Sequence, residues 1–302
     1  MTTPVPTPTQ RSVCALLTCF NRREKTLACL AALRASEGID DVSLNAVLVD
    51  DASRDGTVAA VHQAHPWVDV IEADGDLYWC RGMHRAFARA LGQRHDFYLW
   101  INDDTLLDPD ALARLLACHD ELVRRRGKAV LVVGSTRDGQ SGRLTYGGEF
   151  RVSGWQPLRF ALVPPQAEPV RVHTFNGNIV LVSAAAAAIL GNLDPVYEHA
   201  MGDTDYGLRA GRVGTDSWLA PGTHGRCSHN PVTGTHADPS LPWRKRWSLM
   251  LGRKGLPVRS WWHFTRLHAG SLWPAMFVWP YARMVAIRFG LARERRAPKP
   301  SQ

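Results

Sequence analysis

Apolar and polar positions alternate in a regular rhythm from Ser12 to Gly134: a short apolar run, a polar turn, then a stretch with helical period. VCALLT (13–18) precedes a helix over 24–36, and LNAVLVD (44–50) precedes one over 57–64. VDVIEA (68–73) leads to a helix over 82–92, FYLWIN (97–102) to one over 109–126, and AVLVVG (129–134) closes the series. Runs bounded by turn residues and alternating with helical segments predict an α/β fold with a mainly parallel, Rossmann-like sheet and helices on both faces. Asp108 before Pro109 is a cap and first-turn signal, which fixes the start of the fourth helix.

Beyond Gly134 the rhythm breaks. Residues 135–170 are rich in Gly and Pro, with a hairpin expected near LTYGGEFRVSGW (144–155). NIVLVSAAAAAIL (178–190) reads as a strand running into a helix, GDTDYGLRAGRVG (202–214) as a loop entering a helix, and TDSWLA (215–220) as a strand. The expected organisation is a leader over 1–11, one large domain over 12–240 made of a nucleotide-binding half (12–134) and an acceptor half (135–240), and a C-terminal extension over 241–302.

Charge changes the picture mainly at the C-terminus. The chain has 302 residues and a net charge of +8, yet residues 243–302 hold thirteen Lys or Arg against one acid, Glu294, so the rest is mildly acidic. The same segment carries six of the eleven tryptophans. Trp with Arg suits an anionic lipid interface, so 243–296 is a candidate surface for the cytoplasmic membrane face. Packing on the domain or a dimer contact is the other open reading. SLWPAMFVWPYARMVAIRF (271–289) is apolar, but two prolines and Arg283 argue against a span, which needs roughly 20 uninterrupted apolar residues. No nucleic-acid reading motif accompanies the charge, so nucleic acid is not an expected partner. Six scattered cysteines without a CxxC pair indicate reduced thiols and a cytoplasmic setting, and the leader MTTPVPTPTQRS lacks the apolar core of a signal peptide.

Ligands of open α/β sheets bind beyond the carboxyl ends of the strands. Four strand ends here are polar: Thr18, Asn21 and Arg22; Asp50, Asp51 and Ser53; the loop GDLYWCRGM (75–83) with Arg81 and Gly82; and Asn102, Asp103 and Asp104. No GxGxxG follows the first strand, and neither a GxxxxGK[ST] loop nor a GxSxG elbow occurs, which disfavours nicotinamide, P-loop and hydrolase chemistry. Carboxylates and an amide at such a rim suit a hard cation, Mg2+ or Mn2+, that bridges a diphosphate, with Arg81 adding charge. One of Asp103 and Asp104 can instead serve the following helix as a cap. A second acid pair, Asp203 and Asp205, starts a helix; the helix dipole alone accounts for acids there, and a general base is the competing reading.

The ordered motifs TCFNR, VDDASRDGT, NDDT and GDTDYGLRA resemble the family 2 glycosyltransferases of GT-A fold over about residues 12–235. GDLYWCRGM, FNGNIVLV (175–182) and APGTHGRCSHNP (220–231) are similar to a bacterial, rhamnosyltransferase-like branch concerned with cell-surface polysaccharide. The resemblance implies an inverting, metal-dependent transfer of a hexose or deoxyhexose from a UDP-, GDP- or dTDP-linked donor to a hydroxyl of a glycan or lipid-linked acceptor. It places Thr18, Asn21, Asp50, Asp51, Arg81, Gly82 and Asp103 at the donor, and Asn102 and Asp104 at the ends of the metal-binding DxD motif. Asp203 becomes the catalytic base, with Asp205, Asn176 and Asn178 on the acceptor side; His229 and His224 lie where a further metal or diphosphate contact could come from, with a surface or packing histidine the preferred reading. Asn102 and Gly202 depart from the family pattern, standing where Asp and Glu are usual. A sugar nucleotidyltransferase is the enzymatic alternative, though TCFNRREK lacks the glycines of its loop; a non-catalytic glycan- or partner-binding member is the other.

Overall fold

The computed structural model describes residues 10–291. They form two compact units: residues 10–151 with 160–229, and residues 152–159 with 230–291.

The first unit opens with β1 (Arg11–Cys19), α1 (Arg23–Arg34), β2 (Val42–Asp50), α2 (Thr57–Ala64), β3 (Val68–Glu72), α3 (Tyr78–Gln93), β4 (Phe97–Ile101), β5 (Leu106–Leu107), α4 (Ala111–Arg126) and β6 (Val130–Val133). Short strands follow along the chain: β7 (Thr136–Arg137), β8 (Leu144–Tyr146), β9 (Gly148–Ser153) and β10 (Gln156–Leu162), whose residues 152–159 are counted with the second unit, then β11 (Val170–Val172) and β12 (Thr174–Phe175). The first unit ends with β13 (Ile179–Ser183), α5 (Ala184–Leu190), α6 (Gly202–Arg212), β14 (Asp216–Leu219) and β15 (Gly225–Arg226).

Eight strands make the central sheet in the order β11-β14-β6-β13-β4-β1-β2-β3. The half built from β4, β1, β2 and β3 is parallel, as expected of strands joined by helices. β13 runs antiparallel between β4 and β6, so the sheet is mixed rather than uniformly parallel. The inner strands are buried on both faces, which is why β1, β2, β4 and β13 read as nearly continuous apolar runs. One face is filled by Leu30, Leu33, Leu112, Leu115 and Leu116, all at most 1 % exposed. Beneath the site Trp100 lies 4.8 Å from Tyr206, 5.8 Å from Phe87 and 6.3 Å from Phe175, measured between ring centroids. Each such ring contributes about 1.5–3 kcal/mol through burial.

Two expected boundaries shift for local reasons. α3 starts at Tyr78, four residues before Gly82, because Asp51 gathers the amides of the preceding turn. α4 starts at Ala111, not Pro109, since the Asp108 carboxylate is held by the Arg137 guanidinium at 2.7 and 2.8 Å instead of capping. α5 is capped by Ser183, whose Oγ accepts from the Ala186 amide at 3.2 Å.

The second unit contains α7 (Trp243–Leu251), α8 (Val258–His268), a 3-10 turn (Gly270–Leu272) and α9 (Trp273–Arg288). Trp243 stacks on Trp247 with centroids 5.5 Å apart, and its Nε1 donates to the Met284 carbonyl at 3.0 Å. Among the described residues no helix is long and apolar enough to cross a membrane.

Candidate active site

The ends of β1 and β2 carry the first groups. Thr18 stands at the close of β1, and α3 passes directly over it at Gly82, where a Cβ would lie 2.3 Å from the Thr18 Oγ1. Only glycine permits that approach. Asp50, 1 % exposed, accepts from the Ser53 amide at 2.8 Å and from the Cys19 thiol at 3.3 Å. Asn21 ties the two loops together: its amide donates to the Ser53 Oγ at 2.8 Å, and its Oδ1 accepts from the Arg54 amide at 2.7 Å. The Asp51 carboxylate is taken up by the amides of Gly75 and Leu77 at 3.1 Å and of Tyr78 at 2.9 Å. It therefore clamps the GDLYWCRGM turn to the sheet edge. Arg81 faces the 194–198 segment, with Nε donating to the Pro195 carbonyl at 3.0 Å and a guanidinium nitrogen 3.5 Å from Glu198.

Arg22 is the cation at the acid corner. Its Nη1 lies 3.1 Å from Asp103 and 2.9 Å from Asp104, while Lys25 approaches Asp104 at 3.8 Å. Burial pushes the Asp103 carboxyl up to about 6, Arg22 opposing, and its Oδ2 is buried without a hydrogen-bond partner. The other Asp104 oxygen accepts from the Cys227 thiol at 3.5 Å. Asn102 spends its Oδ1 on the Trp79 indole N–H at 2.8 Å, and its amide donates to the Asn178 carbonyl at 3.3 Å. Asn178 Nδ2 in turn donates to the Cys227 sulfur at 3.4 Å.

Among the described residues no three His, Cys, Asp or Glu side chains are grouped to hold a metal. Two adjacent carboxylates, one with a buried orphan oxygen, still form an oxygen-donor set for a hard cation that takes its remaining ligands from phosphate and water. The histidines lie elsewhere. His229 is exposed, its ring 4.9 Å from that of Tyr146. His224 is fully buried, neither ring nitrogen has a partner, and burial lowers its pKa to about 3.

Asp203 sits in the first turn of α6. Its Oδ2 accepts from the Gly177 amide and its Oδ1 from the Thr204 amide, both at 2.8 Å, and burial raises its pKa. A Cβ at Gly177 would lie 2.6 Å from the Trp79 ring and 3.3 Å from the Asp203 Cβ. Trp79 thus spans from Asn102, at the acid corner, to the backbone that holds Asp203. One indole ring thus joins segments a hundred residues apart in sequence. Asp205 turns inward: it is 0 % exposed, pairs with Arg209 at 2.7 Å and accepts from the Tyr197 hydroxyl at 3.3 Å.

Sequence reasoning missed Glu149. It lies on β9 opposite Thr174 of β12, and Asn176 Nδ2 donates to its Oε1 at 3.4 Å. Burial, then the Asp203 charge, push its carboxyl up to about 7. The signal available was an acid within the expected hairpin, among apolar and aromatic neighbours. Trp79 was also overlooked as a site residue, although the loop that carries it was noted. Gly202 is explained by space, since a Cβ there would lie 2.2 Å from the Cys80 sulfur and 3.4 Å from the Leu193 Cδ2.

The sequence profile described as Glycosyl transferase family 2 matches residues 14–179, more than half of the chain. The chain belongs to glycosyl transferase family 2. The family match takes in β1 to the start of β13, and so the acid corner and Glu149, while Asp203 and Asp205 lie past its end. No curated protein matches the chain in sequence.

Solved structures of similar fold include a mannosyltransferase of Pyrobaculum calidifontis in complex with GDP-Man and Mn2+. The match has a TM-score of 0.53 and 19 % identity, and covers 97 % of this chain and 79 % of that one. GalNAc-T7 with UDP, GalNAc and Mn2+ aligns with a TM-score of 0.54 at 14 % identity, over 76 % of this chain and 46 % of that one. S. aureus TarS 1-349 with UDP gives 0.51 and 12 %, over 84 % and 70 %. At such identities the likeness is one of fold, and the fold of this family 2 member is the GT-A glycosyltransferase fold.

Proposed function

We propose that this family 2 member transfers a sugar, with inversion, from a nucleotide-sugar donor to a hydroxyl of a glycan or lipid-linked acceptor. It would belong to the bacterial rhamnosyltransferase-like branch that builds cell-surface polysaccharide. The observation that supports this reading is the run of contacts Asn102–Trp79–Gly177–Asp203, which ties a general-base candidate to the residue two before Asp104 through one indole ring. Thr18, Asn21 and Asp50, at the ends of β1 and β2, would line the nucleotide. Asp51, Gly82 and Arg81 shape and anchor the loop over it.

Asp104, with Asp103 beside it, would hold Mg2+ or Mn2+. A bound divalent ion draws charge from the diphosphate oxygens and lowers the cost of their departure. Arg22 offers a positive group to the same oxygens if it leaves the carboxylates. Asp203 takes the proton of the acceptor hydroxyl, whose oxygen forms the new bond as the bond from the anomeric carbon to the diphosphate breaks. The two structures solved with Mn2+ are consistent with the metal requirement.

Transfer or hydrolysis of UDP-, GDP- and dTDP-sugars with Mn2+ or after chelation tests the assignment, and absence of turnover on every donor would leave the non-catalytic reading. Asp104→Ala is expected to weaken donor binding at least tenfold in Mn2+ and to leave the metal-free affinity nearly unchanged. Calorimetric titration with and without the metal reads the difference. Equal losses in both conditions would remove Asp104 from the metal site.

The second unit supports a membrane contact on the cytoplasmic face. Residues 230–291 hold nine Lys or Arg and one acid, and exposed apolar side chains accompany them: Val278, Trp279, Phe289 and Leu291 are 54–81 % exposed. A cavity of about 300 Å³ in this unit is lined by Arg246, Arg283 and His236 on its polar side and by Met250, Leu256 and Trp279 on its apolar side. That lining suits a lipid phosphate with its first methylenes. Each basic residue near an anionic surface contributes about 1 kcal/mol. The double substitution Trp279→Ser with Arg283→Glu should therefore lower co-flotation with phosphatidylglycerol vesicles at least tenfold while phosphatidylcholine vesicles stay unbound. Unaltered flotation would end the membrane assignment.

A further inference from the structure

Two neighbouring residues hold two acids. Asn176 donates through its side chain to Glu149 on β9, and the Gly177 amide donates to Asp203 on α6 at 2.8 Å. The arrangement is stiff: Asn176 is fixed by its own amide to the Gly147 carbonyl at 3.0 Å, and Gly177 has no room for a side chain beneath Trp79. The site where the family resemblance expects a glutamate, position 202, is closed by Cys80 and Leu193. A second carboxylate can enter this corner only from elsewhere in the chain, and β9 delivers one.

We propose that Glu149 is the positioning partner of Asp203, the two carboxylates forming an acid pair that carries one proton when the enzyme is poised for transfer. This rests on the glycosyltransferase reading of Asp203. Like-charged carboxylates in a half-buried corner resist double ionisation, so the pair releases its protons in two separated steps. Burial and the Asp203 charge already raise Glu149 to about 7, opposed by the Asn176 hydrogen bond. His173 and Arg151 are the other titratable or charged neighbours along this ladder; the His173 amide bonds the Glu149 carbonyl, and the Arg151 amide bonds the His173 ring.

Two backbone amides at 2.8 Å on Asp203, against one side-chain donor at 3.4 Å on Glu149, favour the charge on Asp203 and the single proton on Glu149. The acceptor proton passes to Asp203, the acceptor oxygen bonds the anomeric carbon, and the nucleotide diphosphate leaves with the bonding electrons. The pair, now doubly protonated, returns that proton to water.

Glu149→Gln keeps the shape and the neutral form but cannot ionise. The expected result for this variant is a kcat within a few-fold of wild type below pH 7, an unaltered donor KM, and disappearance from the kcat–pH profile of the ionisation near pH 7. Glu149→Asp should restore part of the profile. Full activity with the wild-type profile would overturn the proposal.

A second measurement separates this from failure of the enzymatic reading. Burial opposes the ionised Glu149, so the penalty is absent below the unfolded carboxylate range and fully present above about pH 7. Glu149→Gln should thus raise Tm relative to wild type at pH 8 but not at pH 4.5, and the gain should shrink in an Asp203→Asn background. If the protein turns over no donor but the Tm pattern holds, the acid pair stands and the transferase assignment falls. A Tm difference independent of pH, or untouched by Asp203→Asn, refutes the pair.

Discussion

Asp203→Asn is expected to lower kcat for sugar transfer by about 10²–10⁴-fold, the usual contribution of a general base, while donor affinity stays within a factor of two. The side chain leaves the first turn of α6, and no hydrogen bond joins it to Asp103 or Asp104. Its oxygens bond the Gly177 and Thr204 amides. Burial raises its pKa, so its ionised form is the costly one. Removing the charge relieves that cost and forfeits the favourable helix-dipole interaction of about 0.3–1 kcal/mol, so the melting temperature should move by only a few degrees. The pH dependence follows the same sign. Transfer requires the ionised carboxylate, and the acid limb of kcat should lie above the ordinary aspartate value of about 3.9. Stopped-assay kinetics across pH with donor titration by calorimetry would read both parts. A variant that keeps wild-type kcat would dismiss Asp203 as the base, and one that loses donor binding in proportion would make it a donor ligand.

The gathering of Thr18, Asp50 and residues 102–104 at one rim of the sheet was legible in the sequence, and the reason is physical. Strand ends of a parallel sheet converge on one rim whatever the details of packing, so Thr18, Asp50 and the 102–104 corner could be placed together from the rhythm of apolar runs alone. The direction in which a side chain leaves that rim is decided by local competition for hydrogen bonds, which spacing does not record. Asp51 meets three amides of a turn 24 to 27 residues further on. Arg81 meets a carbonyl and a glutamate in a loop beyond α5, and the cation at the corner is Arg22. The antiparallel insertion of β13 was hidden for a related reason: a strand buried on both faces shows the same apolar run in either direction. Glu149 escaped notice because its partner at Asn176 lies across an irregular segment, where neither a period nor a motif links the two.

Asp205 is the other acid of the helix start, and its substitution should have the opposite signature. Asp205→Ala is expected to destabilise the first unit by about 3 kcal/mol, the low end of the 3–5 kcal/mol cost of breaking a buried ion pair. The carboxylate is 0 % exposed and pairs with Arg209 one helical turn away. Arg209 also donates to the Leu190 carbonyl at 2.8 Å and the Asn192 carbonyl at 3.1 Å, so the pair fastens the end of α5 to α6. Those two carbonyls, and the 26 % exposure of the Arg209 side chain, temper the loss by leaving the cation partly solvated and partly bonded. For a unit of this size 1 kcal/mol corresponds to about 2–4 °C, giving a Tm drop of about 6–12 °C. Activity measured well below the new midpoint should remain within a few-fold of wild type, because the Asp205 carboxylate is engaged by Tyr197 and Arg209. A stable but inactive Asp205→Ala protein would reverse the assignment and return Asp205 to the acceptor side. Pairing it with Asp203→Asn makes the contrast decisive: of two carboxylates two residues apart on one helix, the first is expected to affect chemistry with little change to the fold, the second the fold with little change to chemistry.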